Sequence, residues 1–133
     1  MSTKMYKLSV ATLVLLAALA MLLAGSFGNR TRQCLEDPSP GDLYMARIDA
    51  LRGTRTEVPV YGVMRVEEVY PDRIMAHPAT HSSASKRRAY RDLEKAIADE
   101  IAYDMSRSIE IARDDLLGLH ARGIIVVAKD PGA

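Results

Sequence analysis

Between Leu8 and Asn29 the chain runs for twenty-two residues without one charge, with Lys4 and Lys7 before the run and Arg30 and Arg32 directly after it. Such a run constrains the fold more than any other feature, because a helix of roughly twenty residues at about 1.5 Å each spans the ~30 Å hydrocarbon core of a bilayer. The Leu- and Ala-rich core, Leu8 to Ala24, reads in two ways. It is either a retained signal anchor or the apolar part of a signal peptide cut after the small residues Ala24-Gly25-Ser26. The retained anchor is taken as the first expectation.

Leu22-Leu23-Ala24-Gly25-Ser26 also resembles the lipobox of bacterial lipoproteins, which ends in Leu-Ala-Gly-Cys. Serine stands here where the lipid-accepting thiol belongs, and Cys34 has no lipobox in front of it. Basic residues flank the run on both sides, but the leader is short and long domains translocate largely regardless of charge. The expected location is therefore the bacterial inner membrane, crossed once, with the C-terminal domain periplasmic; cleavage and release into the periplasm is the alternative.

Residues 1–28 are thus the membrane segment, 29–40 a linker carrying Pro38-Ser39-Pro40, and 41–130 one small domain. Two of the chain's 18 Lys and Arg precede the apolar run, leaving 16 against 17 Asp and Glu. That balance argues against nucleic acid as a partner, since neutralising phosphates needs a concentrated basic face. The single cysteine, Cys34, cannot form an internal disulfide, so an unpaired thiol or an intermolecular bond is expected of it.

Within the domain, Asp42 to Ile48 reads as a strand and Asp49 to Glu57 as a polar loop. A second strand runs from Val58 to Tyr70, where a change of apolar parity around Gly62 points to a bulge or bend. Pro71-Asp72 forms a hairpin turn into a return strand, Arg73 to His77. The Ser-rich stretch up to Ser85 supplies a helix N-cap. From Lys86 onward Tyr90, Leu93, Ile97, Ile101, Met105, Ile109, Ala112, Leu116 and Leu119 are spaced by three or four, which predicts one long amphipathic helix with Ile97, Ile101 and Ile109 buried. Gly123 sits where a helix-ending left-handed residue belongs, and Ile124 to Ala128 reads as a buried strand.

The order anchor, three strands, helix, strand predicts an α+β fold: a small antiparallel sheet covered by one long amphipathic helix, with a C-terminal strand. Gly41-Asp42-Leu43-Tyr44 followed by a long bent strand and a tight hairpin resembles the opening of SH3-like barrels, which implies a partial barrel but no activity.

No catalytic, cofactor or metal signature matches the membrane segment in strength. His77 and His81 have a four-residue spacing that would suit a metal on a helix, but Pro78 forbids helix there. Glu67 and Glu68, adjacent on a strand, face opposite sides and cannot work as an acid and base pair. Ser82, Ser83 and Ser85 lack the strained turn of a serine nucleophile and read as caps. Lys86-Arg87-Arg88 puts cations at a helix start, where the dipole disfavours them; the cluster is either a solvated turn or awaits anionic lipid headgroups or a partner's carboxylates.

Residues 89 to 123 carry five basic against eight acidic side chains, among them Asp92, Glu94, Asp99, Glu100, Asp104 and Glu110. An acidic helix face with Asp99, Asp104 and Glu110 at its centre is therefore the expected contact for another envelope or membrane protein, with Arg52 and Arg55 of the polar loop as the second candidate. The functional expectation is a membrane-tethered, non-enzymatic binding domain, either an accessory subunit of an envelope complex or an inhibitor- or immunity-type protein. One alternative is an envelope enzyme using His77 or His120 with a carboxylate. Another is a small membrane subunit acting through its apolar helix, whose Ala17-Ala18, Ala20 and Ala24 to Ser26 permit close helix contact.

Overall fold

The structure, a computed structural model, describes residues 29–54 and 56–132. The expected membrane segment, residues 1–28, and Arg55 lie outside the described residues. No helix among the described residues is long and apolar enough to cross a membrane. Thr31 to Ala133 form one compact unit.

That unit is α+β. Strands β1 (Leu43–Arg47), β2 (Tyr61–Val69), β3 (Arg73–Pro78), β4 (Ile109–Ala112) and β5 (Ile125–Lys129) pair in the order β4-β3-β2-β1-β5, each pair antiparallel. Helix α1 covers residues 29–36, α2 Ile48–Leu51, α3 Lys86–Ile97 and α4 Leu116–Ala121, the last entered through a 3₁₀ turn at Arg113–Asp115. The sheet stays open, with β4 and β5 at its edges, so no pairing among the described residues closes the partial barrel that the sequence pattern implied.

Alternation along β1 sends neighbouring residues into two cores. Tyr44 and Ala46 join Met64, Val66, Ile74, Ala76, Ile109, Ile111 and Ile125 on one face, where Leu35 of α1, Ile48 of α2 and Leu116 of α4 cover them. Leu43 and Met45 join Val63 on the other, under Ala89, Leu93 and Ala96 of α3. Four consecutive β1 residues, Leu43 to Ala46, are in consequence at most 1% exposed.

The β2–β3 hairpin follows its sequence signal, with the Tyr70 N–H donating to Arg73 O at 2.8 Å across Pro71-Asp72. The bulge lies elsewhere than expected. Gly62 pairs regularly with Ala46, and the register shifts instead between Val66 and Glu68. Gly62 allows close packing, because a Cβ there would sit 3.0 Å from Ile48 Cγ1 of α2 and that side chain would have to shift.

The linker expected at 29–40 is helical up to residue 36 and delivers Leu35, 2% exposed, into the core. Likewise the polar loop after β1 opens with α2. The largest correction concerns the long helix. It ends at Ile97, where Asp99 takes the left-handed conformation (φ 58°). The Asp99 N–H donates to Ala96 O at 3.0 Å and the Glu100 N–H to Lys95 O at 2.8 Å, the paired bonds of a Schellman ending. Residues 98–108 then form a loop joined to the end of β3: the Thr80 N–H donates to Ala102 O at 3.0 Å, and the Asp104 N–H to Pro78 O at 2.8 Å.

Ile109 is buried as expected, but on the edge strand β4, where Ile109 and Ile111 alternate inward around the exposed Glu110. Ile97 is 40% exposed, and Ile101 is only partly buried, against the α3-side core. From β4 the chain must reach β5 on the opposite edge, roughly 19 Å away at about 4.8 Å per strand. It does so through the 3₁₀ turn and α4, whose Leu116 belongs to the α1-side core. Gly123 (φ 75°) ends α4 as predicted, with the Ile124 N–H donating to Leu119 O at 2.9 Å.

A contrast between two α3 residues checks this geometry. Leu93→Ala should cost about 2–4 kcal/mol in chemical denaturation, whereas Ile97→Ala should cost under about 1 kcal/mol. The reverse ranking would restore the long helix with Ile97 inside.

Candidate functional site

Helix α3 starts at Lys86 because Ser85, in extended conformation, accepts a hydrogen bond from the Arg88 N–H at 3.4 Å. The preceding loop is tied to the sheet: Tyr61 N–H donates to Ser83 O at 2.7 Å, and Ser83 N–H returns a bond to Tyr61 O at 2.8 Å. The Ser85 N–H also donates to Ser83 Oγ at 3.0 Å. With Ala89, Leu93 and Ala96 turned to the core, Arg88, Arg91 and Lys95 fall on one outward side by their spacing of three and four.

These three cations line a shallow cleft of about 420 Å³ with Asp92 of the same helix and His81, Ser82 and Ser83 of the loop. Lys86 lies 5.6 Å from the centroid of the Tyr61 ring. Among the described residues, none of Lys86, Arg87, Arg88, Arg91 and Lys95 forms a salt bridge; the acids that do pair are held by other cations.

The sequence-predicted contact residues are not on one helix. Asp99 is in the turn that ends α3, Asp104 in the loop after it, and Glu110 on β4. Asp104 accepts from Ser106 N–H at 3.1 Å and from its hydroxyl at 2.5 Å, and pairs with Arg107 at 3.3 Å. The Ser106 hydroxyl, more than Arg107 or Arg52, holds its carboxyl below the usual range. Glu110 sits 4.0 Å from Arg73 Nε, and Arg52 is exposed just after α2. The expected acidic helix face is therefore replaced by three acids on three elements.

Two histidines act as latches. His77 Nδ1–H donates to Arg107 O at 2.6 Å, and His120 Nδ1–H to Ile125 O at 2.8 Å. Each ring thus holds a segment of backbone, and a hydrogen-bonded carboxylate, the partner a histidine base would use, is not among these contacts. Cys34, far from being loose, is half-buried and donates through Sγ to Asp42 Oδ2 at 3.4 Å. Burial, with the neighbouring Asp42 charge, pushes its thiol up to about 12, so it stays protonated and unreactive at neutral pH.

Sequence reasoning passed over two buried carboxylates that flank β1. Asp42, 1% exposed, accepts from Ser39 N–H at 2.9 Å, and burial raises its carboxyl above the ordinary range. Tyr44 beside it has a buried hydroxyl with no hydrogen-bond partner among the described residues, and burial drives its ionisation up. Asp49, 5% exposed, accepts from Arg47 Nη2 at 2.8 Å, Val60 N–H at 3.2 Å and Thr56 N–H at 3.4 Å. Arg47, foremost among these, holds the Asp49 carboxyl well below the usual carboxylate range. Asp42 read as the first residue of a strand and Asp49 as part of a polar loop, because no side-chain motif marks the Ser39, Thr56 and Val60 N–H groups that bond them.

No known protein family, curated protein or solved structure matches this chain.

Asp49 makes a prediction about acid stability. Its folded carboxyl lies below the unfolded value of about 3.9, so its contribution is complete above that pH and is lost as pH falls through the folded value. Asp42, shifted the other way, opposes this trend, so a comparison with a variant is needed. Asp49→Asn should lose about 2 kcal/mol at neutral pH and show a flatter fall in stability below about pH 4 than the wild type. Parallel pH profiles for the two proteins would contradict the role given to Asp49.

Proposed function

We propose that this chain is a membrane-tethered, non-enzymatic interaction domain on the periplasmic side of a bacterial inner membrane, serving as an accessory subunit of an envelope complex or as a small inhibitor- or immunity-type binding protein. The observation that carries this proposal is the uncharged run Leu8 to Asn29 ahead of a compact unit of about a hundred residues. The engagement of His77, His120, Asp42 and Asp49 in structural bonds favours binding over acid–base chemistry.

The partner contact proposed is the 98–108 loop and its surroundings. Met105, 58% exposed, offers an apolar anchor there, with Asp99, Asp104 and Glu110 as the acidic rim. Arg52 and Arg55 form the second candidate patch. Charges in such a rim act on association rate and lose force as salt rises, with a screening length of about 10 Å at 0.1 M.

Co-purification of the full chain from detergent-solubilised membranes tests the proposal. A stoichiometric partner should accompany the wild type at low salt and be lost from the triple variant Asp99→Lys, Asp104→Lys, Glu110→Lys, which should keep the circular dichroism of the native fold but melt at a lower temperature, because Asp99 holds a left-handed turn and Asp104 accepts from Ser106. A chain that purifies alone would contradict the proposal; a partner that survives the reversal would move the contact to the Arg52 and Arg55 loop or the membrane segment.

A further inference from the structure

We propose that the cleft between α3 and the 81–85 loop is an anion site that takes a phosphate group. Arg88, Arg91 and Lys95 bring three positive charges to its lining against the single carboxylate of Asp92, and none of the three is in a salt bridge among the described residues. Lys86 and Arg87 add two more charges in the first turn of α3, where the helix dipole works against cations. An anion bound beside that turn offsets both the mutual repulsion and the dipole. The cleft is thus a surface whose charge is completed by a ligand rather than by the protein.

The donors select phosphate over carboxylate. One guanidinium fork satisfies the two oxygens of a carboxylate, whereas two guanidinium groups, an ammonium and the hydroxyls of Ser82 and Ser83 suit the several outward oxygens of a phosphate. Ser83 is held in place by backbone bonds to Tyr61 in both directions, and its Oγ accepts from the Ser85 N–H, which leaves its hydroxyl hydrogen available to a ligand. The loop side of the cleft is therefore fixed to β2, and the helix side is fixed by Leu93 in the core. Phosphate of this chemistry comes either from a lipid headgroup or from a free phosphate compound. The proposal stands independently of the partner contact placed on the 98–108 loop.

The test follows backbone amide resonances of the isotope-labelled full chain in zwitterionic micelles as inorganic phosphate is added, with sodium chloride of equal ionic strength as the control. A parallel arm compares nanodiscs of phosphatidylcholine with nanodiscs containing phosphatidylglycerol. Saturable shifts at Ser82, Ser83, Arg88, Arg91 and Lys95 with inorganic phosphate support a site for free phosphate. Shifts at the same residues only in phosphatidylglycerol discs support a headgroup site.

In either case the triple variant Arg88→Gln, Arg91→Gln, Lys95→Gln should weaken the response by roughly tenfold or more while its other resonances stay in place. Shifts equalled by chloride, shifts unchanged in the variant, or no shift in either arm would overturn the proposal. The wild-type arms decide the matter even if the variant proves unstable.

Discussion

The burial of β1 on both faces is the constraint on which the rest of the structure depends. A strand covered on one side needs one layer of helices; Leu43, Tyr44, Met45 and Ala46, all buried, need two. Tyr44 and Ala46 require the α1, α2 and α4 side, and Leu43 and Met45 require α3. Each helix is short, and each gains its stability from this strand and its neighbours rather than from its own length.

The same constraint explains the polar residues that flank β1. The chain must enter a doubly covered strand through the Pro38 to Gly41 turn and leave it into α2, and a buried carboxylate stands at each junction. Asp42 gathers Ser39 and Cys34 at the entrance; Asp49 gathers Arg47, Thr56 and Val60 at the exit. Their carboxyls are displaced in opposite directions for a physical reason. Burial dominates at Asp42, which has no cation among its hydrogen-bond partners, while the Arg47 guanidinium outweighs burial at Asp49. The residues in contact with water on α3 have no comparable structural engagement, and this leaves its cations available to a ligand.

Local signals in the sequence were legible where one short stretch decided the outcome. The Pro71-Asp72 hairpin, the Ser85 cap, the Gly123 ending and the β-branched run in β5 all appear where their residues placed them. The long helix failed because apolar residues at Ile97, Ile101, Met105 and Ile109 keep a four-residue spacing across a loop and into an edge strand. That spacing is shared by a helix stripe and by a chain that visits the core, an exposed loop and then a strand. Asp99 in a left-handed conformation ended the helix without the glycine that usually marks such an ending.

At the candidate sites, the Lys86-Arg87-Arg88 cluster was visible, but Arg91 and Lys95 were not singled out, although their spacing puts them with Arg88 on one side of α3. The loop carrying His81, Ser82 and Ser83 was read as a cap-bearing loop, but its attachment beside α3 was not legible, because its pairing with Tyr61 is a long-range backbone contact. The grouping of Asp99, Asp104 and Glu110 failed together with the helix that was meant to align them.

Native-state hydrogen exchange of the full chain tests the central role of β1 most directly. The account predicts that the Tyr44 and Met45 amides exchange only through global unfolding and match the stability measured by denaturation, while amides of the 98–108 loop exchange through much smaller openings. Exchange at Tyr44 or Met45 well below the global unfolding free energy, with β2 and β3 still fully protected, would show that β1 is a dispensable strand and would contradict the account.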